Sequence, residues 1–316
     1  MKDVAVIADP VPAPFLHEVA EGPEGARAFW VTSADGTRLR LGLWPEGEKG
    51  TVLLFPGRTE YVEKYGRIAS DLARDGYGMV AFDWRGQGMA DRPQHRRDMG
   101  HVVSFDEYRE DMAVFRAALD TLDRPGPYFL VGHSMGGAIG LRALHDGLPV
   151  RAAAFTGPMW GIRMTPFLKA ISGIVLRLAG PLGFGTVFAP TTGPWAPMAF
   201  EDNPLTTDRD QFDYMARQVA AHPELALGGP SVLWVKAALE ESRALMKMPA
   251  PDVPAITLAG AGESIVEVPA MRERMASWPG GRFIEVENAR HEVLMEAPGP
   301  RGTTLTAIIE HFDRHG

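Results

Sequence analysis

One stretch constrains this chain more than any other: Tyr128-Phe129-Leu130-Val131, then Gly132-His133-Ser134-Met135-Gly136, then a glycine-rich run that continues to His145. The four apolar residues read as a short strand buried on both faces, and the segment from Met135 to His145 has helical spacing. Between a strand and a helix, Gly-x-Ser-x-Gly marks a strained turn that exposes a serine hydroxyl at the end of a sheet, with small neighbours that let the two elements approach. The bland alternative is a serine that only caps the helix. The context predicts an α/β layout with Ser134 as a nucleophile.

The rest of the chain supplies that layout. Alternating segments from Ala26 to Trp44 flank Asp35-Gly36, the type of pair that closes an antiparallel hairpin. Thr51–Phe55, Gly78–Phe82, Tyr128–Val131 and Ala152–Phe155 are apolar runs without alternation, as parallel strands covered on both sides should be. Helical spacing over Tyr61–Arg74, Phe105–Leu122 and Met135–His145 separates them. A doubly wound sheet follows. The rhythm fails at Gly157-Pro158 and returns near Pro251, with Ala255–Ala259 and Arg282–Val286 as strands and Val268–Trp278 and Gly302–Phe312 as helices. Residues 1–156 and 252–316 are therefore expected to form the core, and 157–251 a mainly helical cap.

A serine needs a base to take its proton and a third group to orient the base. In this layout the order along the chain is Ser, acid, His, with the histidine after the last strand. His291 is the histidine downstream of Ser134 that follows a predicted strand directly; His222 falls in the insertion, and His311 and His315 in the closing helix and tail. The acid belongs after Ala255–Ala259, where Glu263 and Glu267 are the candidates. Glu263 is nearer the strand end and is the choice; Glu267 could serve as a helix N-terminal carboxylate, and Asp252 precedes its strand. The oxyanion needs two backbone N–H groups. Met135, after the nucleophile, offers one, and Arg58, in the turn after Thr51–Phe55, the other. The Arg58 guanidinium could bind substrate or simply be solvated.

A formal net charge of −8, with no basic stripe, argues against a nucleic-acid partner. The chain has no cysteine, which rules out a disulfide framework and a thiolate metal cluster and fits a reducing compartment. Asp9 and Pro10 interrupt the apolar start, so the expectation is an unprocessed cytoplasmic protein. The greasy region from Ile162 to Phe188 is broken by Arg163, Lys169 and Arg177 and is not expected to span a membrane.

The ordered series Pro56-Gly57-Arg58-x-Glu60, Asp83-Trp84-Arg85-Gly86-Gln87-Gly88, the Ser134 turn, Gly157-Pro158-Met159-Trp160-Gly161-Ile162, Gly228-Gly229-Pro230-x-x-x-Trp234 and Ala289-Arg290-His291-Glu292 resembles the monoacylglycerol lipase and lysophospholipase branch of the α/β-hydrolases. The likeness is greatest to bacterial lysophospholipase L2-like proteins and covers nearly all of the chain from Thr51. It implies a Ser134, Glu263, His291 triad, an oxyanion hole at Arg58 and Met135, and a helical cap; ester hydrolysis through an acyl-enzyme on such a triad needs no cofactor or metal. The family more often has aspartate at the acid position. Asp83 and Arg85, in a loop after a strand, are expected to be structural.

In the cap, Phe167, Ile171, Ile174, Val175 and Leu178 recur at helical spacing with Lys169 and Arg177 among them, a face that could pack on the core, line an acyl groove or touch a lipid surface. Met159, Trp160, Phe167 and Trp234 are the expected substrate contacts, with Met164, Trp195 and Met198 adding adaptable apolar surface. The expected activity is hydrolysis of single-chain lipid esters, lysophospholipid or monoacylglycerol. A short-chain carboxylesterase, an acyltransferase, a cofactor-free haloperoxidase or C–C hydrolase, and a non-catalytic binding protein of the same fold are the alternatives.

Overall fold

A computed structural model describes residues 10–93, 96–124, 126–164 and 183–316. The strands it contains are β1 (Val11–Ala13), β2 (Arg27–Thr32), β3 (Arg38–Leu43), β4 (Gly50–Phe55), β5 (Tyr77–Asp83), β6 (Tyr128–His133), β7 (Ala153–Thr156), β8 (Ala255–Gly260) and β9 (Arg282–Val286). Among the described residues they form one sheet in the order β1-β2-β3-β5-β4-β6-β7-β8-β9. Pairing is antiparallel from β1 to β3 and between β3 and β5, and parallel from β5 through β9. Thus an antiparallel hairpin extends a parallel, doubly wound sheet. The edge strand β1 gave no signal in the sequence, because it is three residues long with Pro12 at its centre, a residue tolerated only at a sheet edge.

The helices are α1 (His17–Ala20), α2 (Gly66–Arg74), α3 (Asp106–Thr121), α4 (Met135–His145), α5 (Arg209–Ala221), α6 (Val232–Lys247), α7 (Val268–Ala276) and α8 (Pro298–His315). They explain why the central strands lack alternation. Leu53 and Phe55 point to one face, into a cluster with Phe115 of α3, Ile139 of α4 and Ala238 of α6. Val52 and Leu54 point to the other, with Ile68 of α2 and Phe312 of α8. Each such side chain is almost fully buried, and each one larger than alanine contributes roughly 1.5–3 kcal/mol by leaving water. A polar residue at any of these alternate positions would meet an apolar layer.

Between β7 and β8 the described residues contain no strand, and the sheet closes across the gap with Ala153 opposite Ala255. Two helices of this segment behave differently. α6, capped by Ser231 Oγ accepting from Trp234 N at 3.0 Å, buries Trp234, Ala237 and Leu245 in the core cluster. α5 rests on the chain's beginning: Tyr214 Oη donates to Ala20 O at 2.7 Å, and Gln218 Nε2 to Val19 O at 2.8 Å. The helix expected over Phe167–Leu178 lies outside the described residues. Among the described residues no helix is long and apolar enough to cross a membrane.

Two ion-pair groups, each centred on a buried arginine, hold the loops at the carboxyl end of the sheet. Arg40 joins Asp83 (2.7 Å) and Glu63 (2.6 Å), all fully buried, and Asp83 also accepts from the amides of Val62 and Met89. Arg85 grips Asp111 at 2.6 Å and Asp35 at 2.7 Å. Asp83 and Arg85 are thus structural, as the sequence suggested.

Candidate active site

Ser134 stands between β6 and α4 with φ 51° and ψ −117°. A non-glycine residue held there costs on the order of 1–3 kcal/mol and persists only where its surroundings fix it. They do so here. Ser134 N donates to Thr156 O at 3.0 Å, and Ser134 O accepts from Met159 N at 2.9 Å. The glycines of the turn have steric reasons: a Cβ at Gly136 would overlap Phe55 O, and one at Gly137 would come within 2.6 Å of Pro158 Cβ.

Ser134 and His291 line one cavity of about 260 Å³, together with Arg58, Met135, Met159 and Trp234. His291 comes from the loop after β9. Its Nδ1 lies 2.6 Å from Oε2 of Glu263, which comes from the loop after β8. The second carboxylate oxygen accepts from the amides of Ile265 (2.7 Å) and Val266 (3.2 Å). Burial pushes the Glu263 pKa up, but the His291 hydrogen bond and charge and those two amides outweigh it, so the carboxyl stays below its ordinary value. Glu267 instead opens α7, its own amide bonded to Gly161 O at 2.9 Å. Of the two candidate acids, the fold brings Glu263 to the histidine.

Met135 is the first residue of α4, where no preceding turn offers its N–H a carbonyl. The Arg58 N–H makes no hydrogen bond among the described residues, whereas its neighbours do. Gly57 N donates to Glu60 Oε2, and Thr59 N to Gln87 Oε1 at 3.3 Å. Gln87 Nε2 also donates to the carbonyls of Gly57 (2.8 Å) and Glu60 (2.9 Å). This turn is fixed on both sides of the Arg58 amide, as an oxyanion donor requires.

Beneath the cavity is a charge network that sequence reasoning missed. Lys64 Nζ lies 2.6 Å from both Glu60 Oε1 and Glu292 Oε2, all three buried. Tyr65 Oη donates to Glu60 Oε2. Burial pushes the Lys64 pKa down and the Glu60 pKa up, but their mutual attraction, with Glu292 acting on the lysine, prevails in both: Lys64 is raised and Glu60 lowered. His133 Nε2 stands 3.5 Å from Glu60, and its Nδ1 is 2.9 Å from Thr156 O. Burial holds that imidazole below its usual pKa, Glu60 opposing. Glu60, His133 and Glu292 have donor atoms within 4.8 Å of one another, a spacing that a small cation could use. The Lys64 ammonium already occupies the space between the carboxylates. The available signal in the sequence was the Glu60, Lys64 spacing of i,i+4; Glu292 closes the network from the far end of the chain. Glu296 was missed too: it accepts from Arg290 N (2.7 Å) and Thr207 N (2.9 Å), tying the His291 loop to the segment before α5.

Of the expected substrate contacts, Met159 and Trp234 line the cavity. Trp160 does not. It is 1% exposed, packs edge-on against Phe155 and donates to Gly137 O at 3.2 Å, because one step along the chain from Met159 turns the side chain into the core. Phe167 lies outside the described residues. A second, largely apolar cavity of about 470 Å³ adjoins the first through Thr59, Glu60, Leu205 and Glu292. Met198, Phe212, Met215 and Val219 are among its walls, with Trp195 partly exposed at it.

The family model described as serine aminopeptidase, S33 (Hydrolase_4) matches residues 46–298. The chain belongs to this family. Among similar proteins, lysophospholipase L2 of Escherichia coli is 33% identical over 279 residues, covering 84% of this chain and 80% of that one. A probable lysophospholipase L2 of Haemophilus influenzae is 29% identical, covering 83% and 82%. A soluble variant of monoglyceride lipase from Saccharomyces cerevisiae shares the fold, with a TM-score of 0.71, 20% identity and coverage of 98% and 97%. This Hydrolase_4 member is thus a serine hydrolase of the α/β-hydrolase superfamily, as its motifs suggested.

Proposed function

We propose that the protein hydrolyses carboxylic esters of single-chain lipids, lysophospholipids or monoacylglycerols, through an acyl-enzyme. Ser134 Oγ attacks the ester carbonyl as His291 takes its proton, Glu263 fixes the imidazole by accepting from Nδ1, and the amides of Arg58 and Met135 receive the oxyanion. The imidazolium then protonates the leaving alcohol. Water, deprotonated by the same histidine, releases the fatty acid and restores Ser134. No cofactor enters these steps. The observation that carries the reading is the 2.6 Å His291–Glu263 contact at a cavity shared with a serine on a strained turn.

The adjoining apolar cavity favours a lipid acyl chain over a short acid, and the names of the two bacterial relatives agree with this. In this reading residues 157–251 are the cap, and its apolar stretch before α5 is the part that meets a lipid surface. The lack of cysteine supports a cytoplasmic location. The test pairs two measurements: covalent labelling by a fluorophosphonate in wild type and Ser134→Ala, and hydrolysis of an ester panel graded in chain length and head group. Labelling should vanish in the variant and turnover should fall by at least about 10⁴-fold. Absence of labelling in folded wild type would sink the enzymatic reading, and turnover confined to short acyl chains would sink the lipid one.

A further inference from the structure

Among the described residues, Arg58 is the cationic side chain in the wall of the Ser134 cavity, and it has no carboxylate partner among them. That sets it apart from Arg40 and Arg85, which are paired with acids. Arg92 also lacks a carboxylate, but its guanidinium donates to four backbone carbonyls, those of Gly88, Arg97, Glu224 and Ala226. Among the described residues Arg58 donates to one, Gly228 O at 2.8 Å, while its guanidinium lies over the Trp234 ring at 5.6 Å. A guanidinium carries five N–H donors. The residue is half-buried, and the cavity is one of the surfaces it lines. It is therefore not the freely solvated arginine that the sequence also allowed.

Glu60 and Glu292, on the same wall, turn their oxygens to Lys64, and among the described residues neither forms an ion pair with Arg58. Burial pushes the Arg58 guanidinium down to about 10, so it is still cationic at neutral pH. A partly desolvated cation with unused donors is a site for an anion, and the planar fork suits phosphate oxygens. Covalent chemistry sets the distance. From the amide nitrogen of an arginine to its Cζ there are as many bonds as from the ester carbonyl carbon of a 1-acyl-glycerol 3-phosphate to its phosphorus. An ester whose carbonyl oxygen meets the Arg58 amide can thus bring a phosphate to the guanidinium of the same residue.

We propose that the Arg58 side chain is the head-group subsite, taking the phosphate of a single-chain glycerophospholipid ester whose carbonyl is held at the Arg58 and Met135 amides. This rests on the ester-hydrolase reading above and adds to it a preference for an anionic head group over a neutral glycerol.

The experiment compares kcat/KM for a 1-acyl-glycerol 3-phosphate and for the monoacylglycerol of the same chain, kept short enough to stay monomeric. Wild type, Arg58→Met and Arg58→Lys are assayed, with circular dichroism to confirm folding. Wild type should favour the phosphate-bearing ester by about tenfold or more, the scale of a charge-assisted hydrogen bond. That ratio should fall toward one in Arg58→Met and be largely kept in Arg58→Lys. In wild type, glycerol 3-phosphate should compete with substrate and glycerol should not. A wild-type ratio near one, or a ratio unchanged in folded Arg58→Met, overturns the subsite. So does failure of glycerol 3-phosphate to compete, which decides the matter even where Arg58→Met does not fold. Competition by inorganic phosphate as strong as by glycerol 3-phosphate would make it a free-anion site and overturn the head-group assignment. Wild type inactive on both esters would instead refute the hydrolase reading itself.

Discussion

Glu263 and Glu60 are both buried carboxylates at the carboxyl end of the sheet, and each faces a histidine, yet they are built for different work. Glu263 places one oxygen 2.6 Å from His291 Nδ1 and anchors the other on two amides of its own loop. Its partner ring reaches the cavity of Ser134. Glu60 stands 3.5 Å from His133 and gives its oxygens to Lys64, Tyr65 and the Gly57 amide. The first carboxylate holds a ring at the Ser134 cavity, the ring that moves the proton in the proposed mechanism. The second clamps the turn that carries the Arg58 amide. A buried acid beside a histidine does not by itself define a catalytic pair; what decides is which other groups claim its oxygens.

The largest expected effect lies on the Glu263 side. Glu263→Gln keeps the shape but presents an amide that cannot stabilise the imidazolium, and kcat should fall about 10³–10⁴-fold while the unfolding midpoint moves little. Glu267→Gln should stay within about twofold of wild type, since the fold places that side chain at the start of α7 and not at His291. Steady-state kinetics on one ester reads both. A large loss in Glu267→Gln with near-normal turnover in Glu263→Gln would reverse the acid assignment.

Glu60→Gln should divide its effect differently. Lys64 keeps Glu292 but loses half of its buried counter-charge, which should cost roughly 2–4 kcal/mol of stability. The Gly57 to Thr59 turn loosens with it, and kcat should drop about 10–100-fold through the oxyanion donor. Urea unfolding and kcat measured on the same preparation check this. A variant of native stability with a loss as deep as that of Glu263→Gln would erase the distinction between the two acids.

The same contrast explains what could be read from the sequence. β4 to β8 were legible because burial on both faces forces unbroken apolar runs, and the Ser134 turn because its glycines answer to sterics that any residue with a Cβ would violate. His291 and Glu263 followed from their place after a strand. Lys64 was not legible: its meaning arises where Glu60 and Glu292 meet, and no local pattern records that closure. Trp160 was misread because adjacent aromatic and methionine side chains point to opposite sides, one to the core and one to the cavity. Arg58 was read through its backbone, while its side chain acquired an environment only when Gly228 and Trp234 of the insertion closed over it.

The smallest effect separates the two acids by pH. Both have folded-state pKa values below the ordinary 4.5, and the displacement is the larger for Glu60. For a carboxyl depressed on folding, the unfolded chain binds more protons as pH falls past 4.5, so its stabilisation is complete above that value and drains away below it. A pH of about 3.5 lies one unit inside that window, so removing either group can relieve at most about 1.4 kcal/mol there. Between pH 7 and about 3.5, wild type should therefore lose about 1 kcal/mol more stability than Glu60→Gln. Glu263→Gln should follow wild type more closely, since the depression of Glu263 is the smaller of the two. Urea midpoints across that range measure the difference. Parallel curves for wild type and Glu60→Gln would mean that the Lys64 network does not depend on an ionised Glu60, and that the turn bearing the Arg58 amide is held by its hydrogen bonds alone.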